Sequence, residues 1–137
     1  MKSFQLDVMT PERPFFSGQV SGLTVTLPDG AFTILAGHAP MVAALAVGEL
    51  RFRLPEGWQD CAASEGFLEV LPGGQVILFV QACERAEEID AGRAHAAAER
   101  ARERLASSQS LQEYARNRIA LSRAMNRLRV TGRKRYI

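Results

Sequence analysis

From Ile89 to the C-terminus the chain has no proline, and after Gly92 it has no glycine until Gly132. A stretch that long without either helix breaker has few alternatives to helix. Ala94, Ala97, Ala98, Ala101 and Leu105 recur at the i, i+3, i+4, i+7 spacing of one helix face. Leu111, Tyr114, Leu121, Met125 and Leu128 follow at steps of three, four and seven. Between the two sets lies Ser107-Ser108-Gln109-Ser110, and Ser110 with Glu113 reads as a capping box that starts a second helix. Asp90 is placed to cap the first helix, with Glu87 and Glu88 just upstream at the positive end of its dipole. The spacing therefore predicts an antiparallel helix pair joined along an alanine-rich seam. Alanine buries little apolar area, and at about 25 cal/mol per Å² such a seam is weak. The pair is expected to open without unfolding the rest.

The preceding residues have a different period. Phe4, Leu6 and Val8 alternate with polar neighbours, as do Leu50, Phe52 and Leu54 with Arg51 and Arg53. Val20, Leu23, Val25 and Leu27 continue the strand-like pattern. Phe67 to Leu71 and Gln75 to Val80 flank Pro72-Gly73-Gly74, two strands around a tight turn. Turn signals recur at Thr10-Pro11, Ser17-Gly18, Pro28-Asp29-Gly30, Gly37-His38-Ala39-Pro40 and Pro55-Glu56-Gly57. Short strands at close spacing with no helix between them predict an antiparallel sandwich or barrel. Composition shifts across Cys83–Asp90 from β-branched and aromatic to Ala, Glu and Arg. Two domains are expected, 1–86 and 87–137.

Charge follows the same division. Residues 1–83 carry 4 basic and 8 acidic side chains, whereas residues 84–137 carry 13 basic and 7 acidic ones. From Leu111 on, 8 basic residues, Lys134 and Arg135 among them, face only Glu113. A basic tail on an acidic base implies an anionic partner. Cys61 and Cys83 lack metal-site spacing and read as reduced structural thiols. The N-terminus has no secretory pattern and no run approaches bilayer length, so a soluble chain is expected.

Common catalytic signatures are absent from the sequence: no G-x-x-x-x-G-K-[ST], no G-x-G-x-x-G and no G-x-S-x-G. His38 sits in a Pro/Gly turn, where a structural role is the ordinary one. No catalytic residue and no metal ligand set is assigned. Arginine is the informative residue type. Arg93 and Arg100 lie seven apart, on one face of the first helix, and Arg123 and Arg127 form an i, i+4 pair on the second. An antiparallel hairpin is expected to bring the two pairs together. Converging guanidinium groups repel unless an anion sits among them, and they suit phosphate. Asp90 nearby is placed to accept from a base or ribose. A nucleic-acid-binding module using the basic helical tail is the alternative reading, and the acidic N-terminal domain argues against it.

Several motifs in register identify a family. Thr10-Pro11-Glu12-Arg13, Phe16-Ser17-Gly18-Gln19-Val20, Asp29-Gly30, Ile34-Leu35, Gly37-His38-Ala39-Pro40, Gly48-Glu49-Leu50, Ser64-Glu65-Gly66-Phe67-Leu68-Glu69-Val70 and Glu84 to Asp90 resemble the epsilon subunit of the bacterial rotary ATP synthase. The resemblance covers nearly the whole chain. It implies a β-sandwich N-terminal domain of about ten strands followed by a two-helix antiparallel hairpin. It implies a non-catalytic rotor subunit that binds the gamma subunit and the c-subunit ring on the cytoplasmic face of the bacterial cell membrane. No nucleic acid is implied as a partner, and no cofactor is required. It also implies an inhibitor of ATP hydrolysis whose helices extend to meet the catalytic alpha and beta subunits, with Arg116, Arg118 and Arg129 as contact residues. Some members bind ATP as a regulatory ligand through the motif I/L-D-x-x-R-A, which Ile89-Asp90-Ala91-Gly92-Arg93-Ala94 matches. The supporting arginines fall on Arg100, Arg123 and Arg127, with Glu84 assisting. Gly92 within the first helical turn and Thr33 in place of the usual glycine depart from the pattern. Gly132 to Ile137 carries no readable signature of it.

Overall fold

A computed structural model describes residues 2–133, with side chains through Gly132. Lys134 and Arg135, counted above in the basic tail, lie outside the described residues. The chain divides into two compact units between Arg85 and Ala86.

The first unit is a sandwich of two five-stranded sheets. Its strands are β1 (Phe4–Met9), β2 (Pro14–Val20), β3 (Leu23–Leu27), β4 (Gly30–Ile34), β5 (Met41–Leu45), β6 (Gly48–Leu54), β7 (Gly57–Ala63), β8 (Gly66–Val70), β9 (Val76–Val80) and β10 (Cys83–Arg85). One sheet has the order β2-β1-β9-β8-β5, the other β10-β7-β6-β3-β4. All neighbours pair antiparallel except β1 and β9. The alternation in the sequence is the alternation of burial: Phe4, Leu6, Val8, Leu50, Phe52, Val76, Leu78 and Val80 all face the core. Phe16 and Phe52 stack there with ring centroids 4.4 Å apart.

Val20 and Leu23 belong to different strands. The chain breaks at Ser21-Gly22, where Ser21 N–H donates to the Arg53 carbonyl and Arg53 N–H donates to the Gly22 carbonyl. Val20 thus closes β2 and Leu23 opens β3 in the other sheet. A Cβ on Gly22 would sit 3.3 Å from the Trp58 ring, so glycine lets the crossover pass that side chain.

Between the sheets the face is apolar, but outside β1 and β2 it is a hydrogen-bonded ladder. Ser17 Oγ donates to Asp7 Oδ1 at 2.6 Å and Gln75 Nε2 to Asp7 Oδ2 at 2.7 Å. Gln19 Nε2 donates to Gln5 Oε1 at 3.0 Å. The Ser17 hydrogen bond is the chief reason that the Asp7 carboxyl is held below its ordinary value of 3.8; burial opposes it, and Gln75 and Gln5 add to it. A depressed carboxyl contributes stability that is present above the unfolded value and lost as pH falls through the folded one. Asp7→Asn is therefore expected to flatten the loss of sandwich stability below about pH 4. Urea melts of both proteins at pH 7 and pH 3 check this: the gap between them should be smaller at pH 3.

The second unit opens with a 3-10 turn, Ala86–Glu88, and holds two helices, α1 (Ala91–Ala106) and α2 (Leu111–Arg133). Asp90 caps α1: its Oδ1 accepts from Arg93 N–H at 3.0 Å. Ser110 Oγ accepts from Glu113 N–H at 3.1 Å, but Glu113 reaches back to Gln109 N–H, one residue before the position a standard capping box uses. Ala94, Ala98 and Ala101 are buried on α1, as expected of the seam, and Ala124 and Val130 on α2. Leu111 and Tyr114 are not part of it. Leu111 is 89% exposed, and Tyr114 and Ile119 are exposed as well. The register explains Leu111 and Tyr114. Asn117 Nδ2 donates to the Arg104 carbonyl at 3.2 Å, so the first turn of α2 runs past the end of α1 at Ala106.

Candidate functional site

The seam that buries little also leaves a gap. A groove of about 300 Å³ runs between α1 and α2, at the small end of the range for ligand sites. Ala97, Ala101, Ala120 and Ala124 line it. Its walls carry Arg100 and Arg104 from α1 and Asn117, Arg123 and Arg127 from α2. No acidic side chain lines it. Among the described residues, the guanidinium groups of Arg100 and Arg104 make no hydrogen bond or ion pair. Arg102, one residue pair away, is engaged with Glu99 Oε1 at 2.6 Å and Met125 Sδ at 3.4 Å. Four arginines thus line one groove, and guanidinium groups are suited to phosphate and carboxylate.

Three of the arginines expected to converge, Arg100, Arg123 and Arg127, do line this groove. Arg93 does not; it stands four residues before Ala97, exposed, with its N–H on the Asp90 cap. Ile89 and Ala94 are buried within the helical unit's span, and Asp90 is exposed. Glu84 lies on β10 of the sandwich, paired with Ala62 of β7. Arg104 and Asn117 were not singled out from the sequence. The signal for Arg104 was available: it is i+4 from Arg100 on the same helix face. Asn117 had none, because its role depends on the inter-helix register.

Two further surfaces stand out. On α2, exposed Arg116, Arg118 and Arg129 accompany exposed Leu111, Tyr114 and Ile119. On the outer face of the β2-β1-β9-β8-β5 sheet, Phe67 and Phe79 pair across β8 and β9 with ring centroids 5.3 Å apart, and both are exposed. Val42 on neighbouring β5 is 71% exposed. His38 is structural: its Nδ1 lies 2.8 Å from the Ala39 carbonyl oxygen, and its ring packs edge-on to Phe32.

A ten-stranded sandwich followed by a helix pair matches one family along both units. Residues 3–86 match the ATP synthase Delta/Epsilon chain beta-sandwich domain, and residues 87–132 match its long alpha-helix domain. The chain is 43% identical to the ATP synthase epsilon chain of Ruminiclostridium cellulolyticum, over 98% of this chain and 100% of that one. It is 38% identical to the epsilon chain of Bacillus pumilus, over 97% of this chain and 100% of that one. A chain in the cryo-EM structure of Euglena gracilis mitochondrial ATP synthase, OSCP/F1/c-ring, superposes with a TM-score of 0.79 at 25% identity, covering 90% of this chain and 78% of that one. A chain of the Tetrahymena thermophila mitochondrial ATP synthase central stalk/c-ring shares the fold, with a TM-score of 0.66 at 12% identity, covering 95% of this chain and 97% of that one. The protein belongs to the ATP synthase epsilon chain family.

Proposed function

We propose that the chain is a non-catalytic central-stalk subunit that joins the gamma subunit to the c-subunit ring, and that its helices restrain ATP hydrolysis. The Phe67–Phe79–Val42 surface suits a stable subunit contact, since an apolar centre with a polar rim is the usual anatomy of one. The hydrogen-bonded Gln5, Asp7, Ser17 and Gln19 ladder would supply the rim. This surface is assigned to gamma. The complex would place the chain peripherally at the cytoplasmic face of the cell membrane; no helix among the described residues is long and apolar enough to cross a bilayer.

The observation that carries the inhibitory reading is the outer face of α2. It sets Leu111, Tyr114 and Ile119 beside Arg116 and Arg118, all exposed in the closed hairpin. When the hairpin opens, that face would dock on acidic surfaces of the catalytic alpha and beta subunits. The arginine groove supplies the control, with ATP as a regulatory ligand. A ligand that binds only the closed hairpin stabilises it by about 2.7 kcal/mol at a hundredfold excess over Kd. Against an alanine seam that is enough to set the position of the helices. Replacing Arg116, Arg118 and Arg129 together by glutamate tests the docking: hydrolysis by the assembled enzyme should rise while the hairpin stays helical by circular dichroism. Unchanged hydrolysis would contradict the inhibitory role.

A further inference from the structure

The outer ladder of β1 and β2 runs into a pocket of about 370 Å³, where the start of β1, the β4–β5 loop and the β8–β9 turn meet. Ser3, Gln5, His38 and Gln75 supply its polar side chains, and no Asp, Glu, Lys or Arg lines it among the described residues. The donors of these side chains are already committed. Ser3 Oγ donates to Gln19 Oε1 at 2.9 Å. Gln5 Nε2 donates to Ser17 Oγ at 3.1 Å and to Asp7 Oδ1 at 3.4 Å, and Gln75 Nε2 donates to Asp7 Oδ2 at 2.7 Å. The Ala39 carbonyl oxygen can only accept, so the His38 Nδ1 that lies 2.8 Å from it carries the hydrogen of the neutral ring, and Nε2 is left as an acceptor. The side chains therefore offer the second Gln75 amide hydrogen against four acceptors: Ser3 Oγ, Gln5 Oε1, Gln75 Oε1 and His38 Nε2.

Asp7 adds a sign to this imbalance. Its carboxylate accepts from both Gln5 and Gln75, and an amide that donates to a carboxylate is polarised, so that its own oxygen becomes a stronger acceptor. A pocket of acceptors beside a fixed negative charge suits a group that has donors only and a positive charge. Lysine and arginine are both of that kind, but the pocket's acceptors come from three separate segments, and the five spread donors of a guanidinium group match them better than one ammonium. We propose that this pocket receives an arginine side chain of the gamma subunit. The inference rests on the reading of the neighbouring sheet face as the gamma contact, because Gln5 belongs both to the pocket and to the ladder that rims that face. The arginine sets the register of the contact, and Phe67, Phe79 and Val42 supply its apolar area.

The test is the affinity of the full chain for purified gamma subunit, measured by biolayer interferometry for the wild type, Ser3→Lys, Ser3→Glu and Phe67→Ser, with thermal melts to confirm folding. Thr33→Lys and Thr33→Glu, at an exposed position of β4 in the other sheet, control for net charge. Ser3→Lys should weaken binding about tenfold and Ser3→Glu should hold or tighten it, while both Thr33 variants stay within about twofold of the wild type. Phe67→Ser should weaken binding at least as much as Ser3→Lys. The dependence on the sign of the charge is what a cationic occupant requires, and a merely structural Ser3 would not give it. Equal losses from Ser3→Lys and Ser3→Glu, or no loss from Ser3→Lys, with binding still weakened by Phe67→Ser, would overturn the arginine pocket and leave the gamma surface standing. A folded Phe67→Ser that binds gamma as tightly as the wild type would overturn the gamma surface itself.

Discussion

Gly66→Ala is expected to cost the sandwich about 3 kcal/mol, at the upper end of what overpacking does. A Cβ there would lie 1.8 Å from the Phe79 carbonyl oxygen and 2.8 Å from the Phe79 carbonyl carbon and the Val80 Cα. These are backbone atoms of β9, paired with β8 from Gly66↔Val80 to Val70↔Val76, so no side chain can swing away. Relief requires the β8–β9 ladder to part at the end that carries Phe67 and Phe79. Urea unfolding should show a lowered midpoint and, for a domain of this size, a fall in Tm of roughly 15 °C. Gly132→Ala is the control: among the described residues nothing beyond its own helix backbone and chain neighbours lies within 4 Å of the added Cβ, and alanine is the better helix former. Near-equal melts of Gly66→Ala and wild type would show that β8 and β9 do not approach as described.

Ending the chain after Ala86 is expected to have the largest functional effect. Hydrolysis by the assembled enzyme should rise several-fold with ATP synthesis largely kept, because the truncation removes α1 and α2 and keeps all ten strands. The remainder should melt cooperatively, since the strands form a compact unit with their own core. Co-purification with gamma should survive. A truncated chain that fails to fold would mean that the helices belong to the core, and unchanged hydrolysis with a folded sandwich would mean that they do not inhibit.

The parts legible in the sequence were those where local pattern and tertiary contact agree. Alternation in Phe4-Gln5-Leu6-Asp7-Val8 and in Leu50 to Leu54 announced β1 and β6, because each has one face on the core. β5, Met41-Val42-Ala43-Ala44-Leu45, gave no such signal; its pairing with β8 makes it a strand, and Val42 points away from the core. The helix periods located α1 and α2, but they placed Leu111 and Tyr114 in the seam. Periodicity gives a face and not the register against a partner helix, and here the partner ends too soon to cover them. The arginine groove was legible in three of its four arginines. Arg104 and Asn117 join it through the closeness of the alanine seam and one inter-helix hydrogen bond, which depend on how the hairpin folds back.

Control of the helices by ATP is most directly tested by titrating the full chain with ATP by calorimetry while following its thermal melt, for the wild type and for Arg123→Ala and Arg127→Ala. Saturable binding by the wild type, a melt of the helical unit that moves up with ATP, and weakened binding in both variants with helicity kept are the expected results. Millimolar ATP that gives no binding heat and leaves the melt unmoved would contradict a nucleotide role for the arginine groove.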